Sequence, residues 1–295
     1  MKKVRHFPSY YLCQPNSLYI GKYQNYISNT AKIMIKTLQV SNIIAFIITV
    51  IMNYLSNTGI LNNSTMATVS AQYQNYFTPA GYAFSIWGLI YIGLLASLIY
   101  QSKGIFNSKE APAIVSKIGW MFVLSCIANC LWIVAWLYDY TGLSVIIMAI
   151  LLGSLISIVL RTRMELDLIT FKRVALEWWP FAMYFGWITV AIIANIAAYL
   201  TKLKWDGFGI SAVSWTVVMI SIAAIIHLFL IWTRNLREAA SIGAWGLAAV
   251  AVANWNDNQT VAYTAVAATV IILVNTVIHG YLNRENPFIL PNHKI

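Results

Sequence analysis

The sequence has 295 residues, of which 60% are hydrophobic and only 9% are charged, and its mean hydropathy is +0.69. An ordinary soluble domain has charged side chains at roughly a quarter of its positions, because water must solvate its surface. A surface that faces lipid needs no such charge. The composition therefore excludes a water-soluble globule and indicates a protein that is embedded in a bilayer.

The N-terminal segment 1–37 is the longest part of the chain outside the predicted membrane. It is polar and aromatic and has no helical apolar period. Its basic start, Lys2, Lys3 and Arg5, is followed by neither a continuous apolar region nor a small-residue cleavage site, so a signal peptide is not indicated. We expect residues 1–37 to form a cytoplasmic tail.

Runs of about 18 or more residues without Asp, Glu, Lys or Arg predict eight membrane-spanning helices, because about 20 apolar residues cross a bilayer. The predicted spans are 38–55, 82–100, 118–138, 143–160, 178–200, 211–232, 239–255 and 260–282. The seventh is short, but Ala240, Ala244 and Ala248 are spaced four apart in it. This spacing lets membrane helices approach closely. We therefore predict an all-α, polytopic transmembrane bundle.

The basic residues predict the orientation of this bundle. If the N-terminus is cytoplasmic, seventeen of the nineteen Lys and Arg residues lie on the cytoplasmic side, and only Lys202 and Lys204 lie on the other. Cytoplasmic loops of membrane proteins collect basic residues. We therefore expect a multi-pass protein of the plasma (inner) membrane with both termini in the cytoplasm. Orientation and contact with membrane lipids explain the net charge of +10 without a nucleic-acid partner.

The predicted spans contain little reactive chemistry. None contains Asp, Glu, Lys or Arg, which argues against proton-coupled transport and against an integral-membrane enzyme. His227 in the sixth span either ligates a haem iron or bonds a neighbouring helix, and the second role is favoured. Cys126 and Cys130 share a helix face, but without His or acidic neighbours they make a weak metal site. We predict no catalytic and no metal-binding residue.

Aromatic and amide side chains follow one face of each of three predicted spans: Trp187, Ala191 and Asn195; Asn129, Trp132 and Trp136; and Trp87 and Tyr91. The topology places these faces mostly in the half of the membrane away from the cytoplasm. An amide in hydrocarbon must find a partner. Two interpretations stay open: the amides bond other helices, or they line a ligand site, since apolar pockets with a few polar groups bind small molecules.

The uncharged loop 56–80 lies above these faces in the predicted topology. It carries Tyr73, Tyr76 and Phe77 just before Pro79, whereas a solvated linker is normally richer in charge and poorer in aromatics. We expect its aromatic half to fold over the outer end of the bundle as a lid. The alternative is a disordered polar connector, which the Asn62–Thr65 stretch favours.

Three motifs carry a family resemblance. The segment Thr78–Tyr91, TPAGYAFSIWGLIY, resembles the loop-to-second-helix signature of the translocator protein family, also called tryptophan-rich sensory proteins or TspO/MBR. Asn129-Cys-Leu-Trp132 is similar to the Asn-x-x-Trp of that family's third helix, and Trp187-x₃-Ala191-x₃-Asn195, with Pro180 upstream, to the motif of its fifth helix. The resemblance covers about residues 38–200. The segment 201–295, with three further spans, has no counterpart in the short members.

The sequence departs from the family pattern at several positions. The usual paired prolines are here Pro79-Ala80, and the tryptophan soon after them is Tyr82. Pro180 stands seven residues before Trp187 instead of nearer to it.

The resemblance implies a five-helix core that binds a tetrapyrrole, such as haem or protoporphyrin, or a sterol-like lipid between its helices. It implies no obligatory cofactor, a role in sensing or trafficking, and a homodimer as one expected state. The alternative is a secondary transporter of a neutral or hydrophobic solute, but we find neither inverted repeats nor paired Gly/Pro-interrupted spans. The implied ligand-binding residues are Pro79, Gly81, Tyr82, Trp87, Tyr91, Asn129, Trp132, Tyr184, Trp187, Ala191 and Asn195.

The predicted orientation is tested with reporter fusions. A topology reporter fused after residue 60 should report the non-cytoplasmic side, because one predicted span precedes it. The same reporter fused after residue 295 should report the cytoplasm, because eight predicted spans precede that residue. Reporter activity on the same side for both fusions would overturn the eight-span topology.

Overall fold

A computed structural model of the protein describes residues 17–105, 110–283 and 289–290, with side chains between 29 and 283. The helices in chain order are α1 (Ser17–Leu55), α2 (Met66–Gln72), α3 (Ile86–Gln101), α4 (Ile114–Ile118), α5 (Met121–Leu137), α6 (Thr141–Arg161), α7 (Phe171–Arg173), α8 (Trp179–Lys202), α9 (Ala212–Arg234), α10 (Arg237–Ala253) and α11 (Gln259–Leu282). A 3₁₀ turn, Gly81–Ser85, precedes α3, and a π-helical turn, Val174–Trp178, precedes α8. Ile169–Thr170 pairs in parallel with Ile289–Leu290.

Eight of these helices are long and follow the eight predicted spans in order, so the all-α, polytopic fold is confirmed. Among the described residues, six segments are long and apolar enough to cross a membrane: Asn29–Leu55, Gly81–Gln101, Thr141–Arg161, Phe171–Lys202, Ala212–Arg234 and Gln259–Leu282. The remaining two, α5 and α10, have 17 residues each. Residues 1–16, Lys109, Arg284 and Lys294, on which the predicted orientation partly depends, lie outside the described residues. The orientation stays a prediction.

The first helix is longer than the sequence indicated. It begins at Ser17, within the segment expected to be a tail without helical period. Once a helix is nucleated, each added residue gains a backbone hydrogen bond. The chain has no proline between Ser17 and Leu55 that would end the helix. The helix therefore extends N-terminally beyond the predicted span, although no apolar periodicity in the sequence indicates this extension.

The eight long helices form one continuous packing arrangement. α5 packs against α1 and α6, and α6 packs against α8. α10 contacts α8, α9 and α11, and it also reaches the turn before α3. The C-terminal helices therefore extend the bundle through α10, and α8 is the helix that both halves share.

The start of α8 is fixed by a buried carboxylate at the end of the bundle opposite the loop 56–80. Glu177, in the π-helical turn, is buried, and Arg173 donates to it through Nε at 2.8 Å and Nη2 at 3.0 Å. The Tyr100 hydroxyl donates to the same carboxylate at 3.1 Å. Because charge-assisted bonds between planar groups fix direction as well as distance, this cluster ties the end of α3 to the start of α8.

α10 approaches its neighbours at glycines. A Cβ at Gly186 of α8 would overlap the backbone of Ala239, and a Cβ at Gly243 of α10 would overlap the ring of His227. Of the three alanines spaced four apart, Ala240 and Ala244 are fully buried and Ala248 is half-buried, so the predicted face packs against neighbouring helices over most of its length. Small residues let helix backbones meet in this way, and dispersion contacts then hold them together.

His227 bonds a neighbouring helix, as the favoured interpretation of the sequence held. Its Nε2 lies 3.0 Å from Thr189 Oγ1 of α8, and its Nδ1 lies 2.7 Å from Ala223 O in its own helix. The ring is completely buried. Polar side chains in apolar surroundings commonly connect helices in this manner.

The helix crossing at Gly186 predicts a sharp difference between two glycine-to-alanine substitutions. Gly186→Ala should destabilise the protein by about 1–3 kcal/mol, because the added methyl group has no space against Ala239. Gly153→Ala in α6 is the matched control, since nothing lies within 4 Å of its added Cβ. It should be neutral or slightly stabilising. Unfolding midpoints of the purified proteins in detergent measure both, and equal midpoints would contradict the close crossing.

Candidate functional site

The loop 56–80 folds over one end of the bundle. It contains the helix α2, whose N-cap Thr65 forms a capping box with Thr68. Val69, Tyr73 and Phe77 are buried. Their burial offsets the entropy lost on ordering the loop. The prediction that the aromatic half of this loop packs on the bundle is confirmed; its closure on a ligand stays a prediction.

A charged cluster holds the loop down. The Tyr73 hydroxyl donates to Asp139 Oδ1 at 2.7 Å, and Lys202 Nζ lies 2.9 Å from Asp139 Oδ2. Burial, together with the bond to Asp139, raises the pKa of Tyr73 to about 12. Partial burial of Asp139 opposes its ionisation, but the hydrogen bonds from Lys202 and Tyr73 outweigh it and lower the pKa of Asp139. The loop, the α5–α6 turn and the end of α8 are thereby joined at neutral pH.

Hydrogen bonds to backbone groups of the same loop attach it to the C-terminal helices. Ala80 N donates to Ala249 O of α10 at 3.0 Å, and Asn254 Nδ2 donates to Tyr76 O at 2.8 Å. These bonds satisfy backbone groups that would otherwise lack a partner. The helices beyond residue 201 therefore help to position the loop above the five-helix core.

A small aromatic cavity, here called the inner cavity, lies beneath this loop. It has a volume of about 60 Å³ and is lined by Met66, Ser70, Tyr73, Thr78, Pro79, Phe84, Trp87, Trp132, Trp136, Trp187, Val190, Ala191, Ala194, Asn195 and Ala198. The ring centres of Trp87 and Trp187 are 6.4 Å apart, and those of Phe84 and Trp187 are 6.1 Å apart, both edge to face. Such contacts hold the aromatic walls in fixed orientations.

A wider groove between α1 and α3 adjoins the inner cavity. It has a volume of about 390 Å³ and is lined by Val50, Asn53, Tyr54, Asn57, Met66, Ala67, Gly81, Phe84, Trp87, Gly88, Tyr91 and Trp132. Four residues, Met66, Phe84, Trp87 and Trp132, line both spaces. The groove and the inner cavity are therefore adjacent parts of one aromatic site.

The amide of Asn195 connects three helices. Its Oδ1 accepts from Trp132 Nε1 at 3.0 Å, and its Nδ2 donates to Ser144 Oγ at 2.9 Å. Asn129 does the same elsewhere in the bundle: its Oδ1 accepts from Asn53 Nδ2 at 2.8 Å, and its Nδ2 lies 3.2 Å from the Tyr184 hydroxyl. Of the two interpretations left open by the sequence, interhelical bonding describes these amides, although Asn195 also forms part of the cavity wall.

The structure brings most of the predicted ligand-binding residues together. Those lining the inner cavity or the groove are Pro79, Gly81, Trp87, Tyr91, Trp132, Trp187, Ala191 and Asn195. Asn129 and Tyr184 are buried and line neither space, so they support the walls from behind.

Tyr82 is the predicted site residue that the structure places elsewhere. Its side chain is 43% exposed, and its ring packs edge to face on Trp245 of α10 at 5.2 Å. The 3₁₀ turn Gly81–Ser85 explains the difference, because it directs Phe84 to the cavity and Tyr82 toward the C-terminal helices. The family position that Tyr82 occupies is thus used here to attach α10.

Several wall residues were not predicted from the sequence. Trp136 is one helical turn beyond Trp132, and this spacing signalled a shared face. Phe84 precedes Trp87 by three residues, a comparable signal at a helix start. Asn53 and Asn57 of the groove come from α1, whose sequence carries no motif that points to this site.

Among the described residues, two buried hydrogen-bond donors of the site have no partner. They are Trp136 Nε1, from the wall of the inner cavity, and the Tyr91 hydroxyl, from the wall of the groove. A buried unpaired donor costs about 1–3 kcal/mol. An acceptor atom on a bound molecule would remove this cost.

Among the described residues, the walls of the inner cavity and the groove hold only the less common ligands of haem iron, one methionine, Met66, and the tyrosines Tyr54, Tyr73 and Tyr91. In the described part of the chain, neither His nor Cys lines the inner cavity or the groove. Imidazole and thiolate are the common axial ligands of haem, with methionine and tyrosine as further choices. The rings and the two unpaired donors fit a metal-free aromatic molecule with polar edges better.

The fold and the site define the class of the protein: it is a polytopic helical membrane protein with a tryptophan-rich site beneath its first loop. Within that class, the model of the family of TSPO-like proteins matches residues 39–278. The chain belongs to this family. The match continues through α9, α10 and most of α11, so the C-terminal helices lie within the matched region, beyond the part that the motifs covered. No curated protein and no solved structure matches the chain.

The Tyr73–Asp139–Lys202 cluster predicts how the loop responds to mutation. In a variant without native cysteines, a Cys at Tyr76 should react with a water-soluble maleimide about threefold to fivefold faster at pH 7 when Asp139→Asn removes the anchor charge. Asp167→Asn, a carboxylate in the α6–α7 connection, is the control and should leave the rate unchanged. Equal rates in all three proteins would mean that the cluster does not hold the loop.

The effect on stability has a defined pH dependence. The folded pKa of Asp139 lies below its ordinary value of 3.8, so its stabilising contribution is present above that value and is lost as the pH falls through the folded pKa. The stability difference between the parent protein and Asp139→Asn should therefore be constant from pH 5 to pH 8. Unfolding midpoints at each pH check this, and a difference that grew across that range would contradict it.

Proposed function

We propose that this protein binds a flat hydrophobic molecule, a metal-free tetrapyrrole such as protoporphyrin or a sterol-like lipid, in the aromatic site and serves in its sensing or trafficking. The observation that carries the proposal is the continuous aromatic lining of the site, in which Phe84, Trp87 and Trp132 line both the inner cavity and the groove. Aromatic walls with a few placed polar groups are typical of small-molecule sites. The family membership supports the same class of ligand.

The sizes of the two spaces indicate how such a ligand lies. At about 60 Å³ the inner cavity is too small for a macrocycle, whereas the groove, at about 390 Å³, falls within the usual range of ligand pockets. A ring system would lie in the groove against Trp87 and Tyr91, whose rings are stacked at 5.4 Å. One edge would reach past Trp87 toward Trp136.

Binding without catalysis fits the chemistry of the walls. In the described part of the chain, neither space is lined by His, Cys, Asp, Glu, Lys or Arg, and acid–base and nucleophilic catalysis depend mostly on such groups. We therefore propose a non-enzymatic role. The plasma (inner) membrane, a cytoplasmic location of both termini, contact with membrane lipids and a homodimeric state are parts of the same proposal, supported by the basic-residue distribution and by the family resemblance.

The proposal is tested by protoporphyrin binding to the purified protein, measured as quenching of tryptophan fluorescence. Trp87→Leu should weaken binding by about tenfold or more, because Trp87 lines both the inner cavity and the groove. Trp232→Leu is the matched control, since this indole is half exposed and bonds Asn275 at 3.0 Å, away from the site. Equal losses in both variants would refute the assignment of the site.

A second variant tests the unpaired hydroxyl without removing a ring. Tyr91→Phe should weaken protoporphyrin binding by about threefold to tenfold, the worth of one hydrogen bond. It should leave the unfolding midpoint of the empty protein equal or higher, because the hydroxyl has no partner there. Unchanged affinity with a lowered midpoint would show that the hydroxyl serves the fold and not the ligand.

A further inference from the structure

A separate cavity of about 550 Å³, here called the second cavity, opens at the end of the bundle that carries the loop 56–80. Its walls come from loop residues 74–78, from the end of α8 and the connection to α9, from the start of α9 and from the end of α10. The short core of about five helices lacks most of these elements. The second cavity therefore depends on the C-terminal helices.

The wall combines apolar surface with two indoles. Leu200 and Met219 contribute apolar side chains, and the rings of Trp205 and Trp215 stand 5.1 Å apart, tilted by 52°. Cavities of a few hundred Å³ with this kind of lining bind small molecules. Indole faces carry negative charge density and attract cations.

Two hydrogen-bond donors in this wall are already bonded within the protein. Trp215 Nε1 donates to Gly207 O at 2.8 Å, and Asn254 Nδ2 donates to Tyr76 O at 2.8 Å. The amide oxygen of Asn254, which is buried in the wall, is then the atom left to accept a bond from a ligand.

Two threonine hydroxyls of the wall also donate within the protein. Thr201 Oγ1 donates to Ala197 O at 2.9 Å, and Thr216 Oγ1 donates to Ala212 O at 2.8 Å. A hydroxyl that has given its single hydrogen to its own helix can only accept further bonds. These hydroxyl oxygens can therefore bond only ligand groups that donate a hydrogen bond.

The charges point the same way. Asp206 and Asp257 contribute two carboxylates to the lining and Lys204 contributes one ammonium group, and all three residues are exposed at the rim. Asp206 also accepts from Phe208 N at 3.0 Å, which fixes its orientation. The formal charge of the lining is therefore negative, and it favours a cation.

We propose that the second cavity binds an amphipathic organic cation, a protonated amine or a quaternary ammonium group on an apolar body. The cationic group lies against the indole faces of Trp205 and Trp215 and near the carboxylates of Asp206 and Asp257. The apolar body packs on Leu200 and Met219. The second cavity adjoins the inner cavity at Thr78, which lines both, but its other lining residues differ, and the proposal stands whether or not the protein binds a tetrapyrrole.

The test uses the full-length protein in a maltoside detergent and isothermal titration with benzyltrimethylammonium. Its neutral carbon analogue, neopentylbenzene, should bind at least about fivefold more weakly, the worth of a cation over indole rings. Asp206→Asn and Asp257→Asn should each weaken binding of the cation by about threefold to fivefold, and Lys204→Gln should strengthen it by a similar factor. Asparagine at 206 keeps an oxygen for Phe208 N, so the local turn is preserved.

Two controls separate this site from other effects. Asp167→Asn removes one negative charge at the other end of the bundle, and Trp187→Phe changes the aromatic site; both should leave binding of the cation unchanged. Parent-like unfolding midpoints show that each variant is folded. Equal binding of the cation and its neutral analogue, no saturable binding of the cation, or no effect of the two aspartate variants would overturn the proposal.

A further titration identifies the source of the cation. Short-chain phosphatidylcholine carries a quaternary ammonium group on a lipid, and competition with benzyltrimethylammonium would assign the site to a lipid headgroup. Saturable binding of the probe without such competition would assign it to a free amine. If phosphatidylcholine does compete with the probe, loss of this competition in Asp257→Asn would show that the lipid headgroup binds near the same carboxylates.

Discussion

The structure depends on one constraint: a polar group buried among apolar helices costs free energy unless it is paired within the protein. Asn195, Asn129 and His227 meet it by bonding other helices, and each bond fixes the rotation of the helices it joins. Apolar packing alone would let such helices slide and rotate at little cost, because lipid is as apolar as their surfaces. The paired amides are therefore what sets the geometry of the aromatic walls around them.

Against this background, a polar atom that lacks a partner is informative. The amides of Asn195 and Asn129 are paired. Trp136 Nε1 and the Tyr91 hydroxyl, in the two parts of one site, are among the buried polar atoms of the described residues that have no partner, as are both amide atoms of Asn42 in α1. In the second cavity, Trp215 Nε1 and Asn254 Nδ2 are bonded within the protein, and the side-chain oxygens of Asn254, Thr201 and Thr216 are left to accept bonds. The two spaces thus differ in the hydrogen-bonding character of the molecules they suit, although both are built from tryptophan and aliphatic surface.

The sequence predicted the helices better than the site. Stretches without charge located all eight long helices, because the absence of charge is a direct response to lipid. The start of α1 at Ser17 and the helix α2 were missed, since hydrogen bonds between neighbouring residues sustain them without an apolar period. The hydrogen-bond partner of Asn195 could not be predicted from the sequence, because Ser144 is 51 residues away and only the fold brings the two side chains together. The prediction of Tyr82 as a ligand-binding residue was wrong for a similar reason. A 3₁₀ turn directs its side chain toward Trp245, and motif spacing carries no information about turn geometry.

The crossing of α8 and α10 at Gly186 bears on how the chain is divided. A protein cut after Lys202 would keep every motif of the five-helix core, but it would expose the bare backbone of α8 at Gly186 and remove the groups that bond Ala80 N and Tyr76 O. The core and the extension therefore do not behave as independent modules. Evolutionary gain or loss of the last three helices would require compensating changes along α8, most of all a larger residue at position 186 to fill the vacated contact.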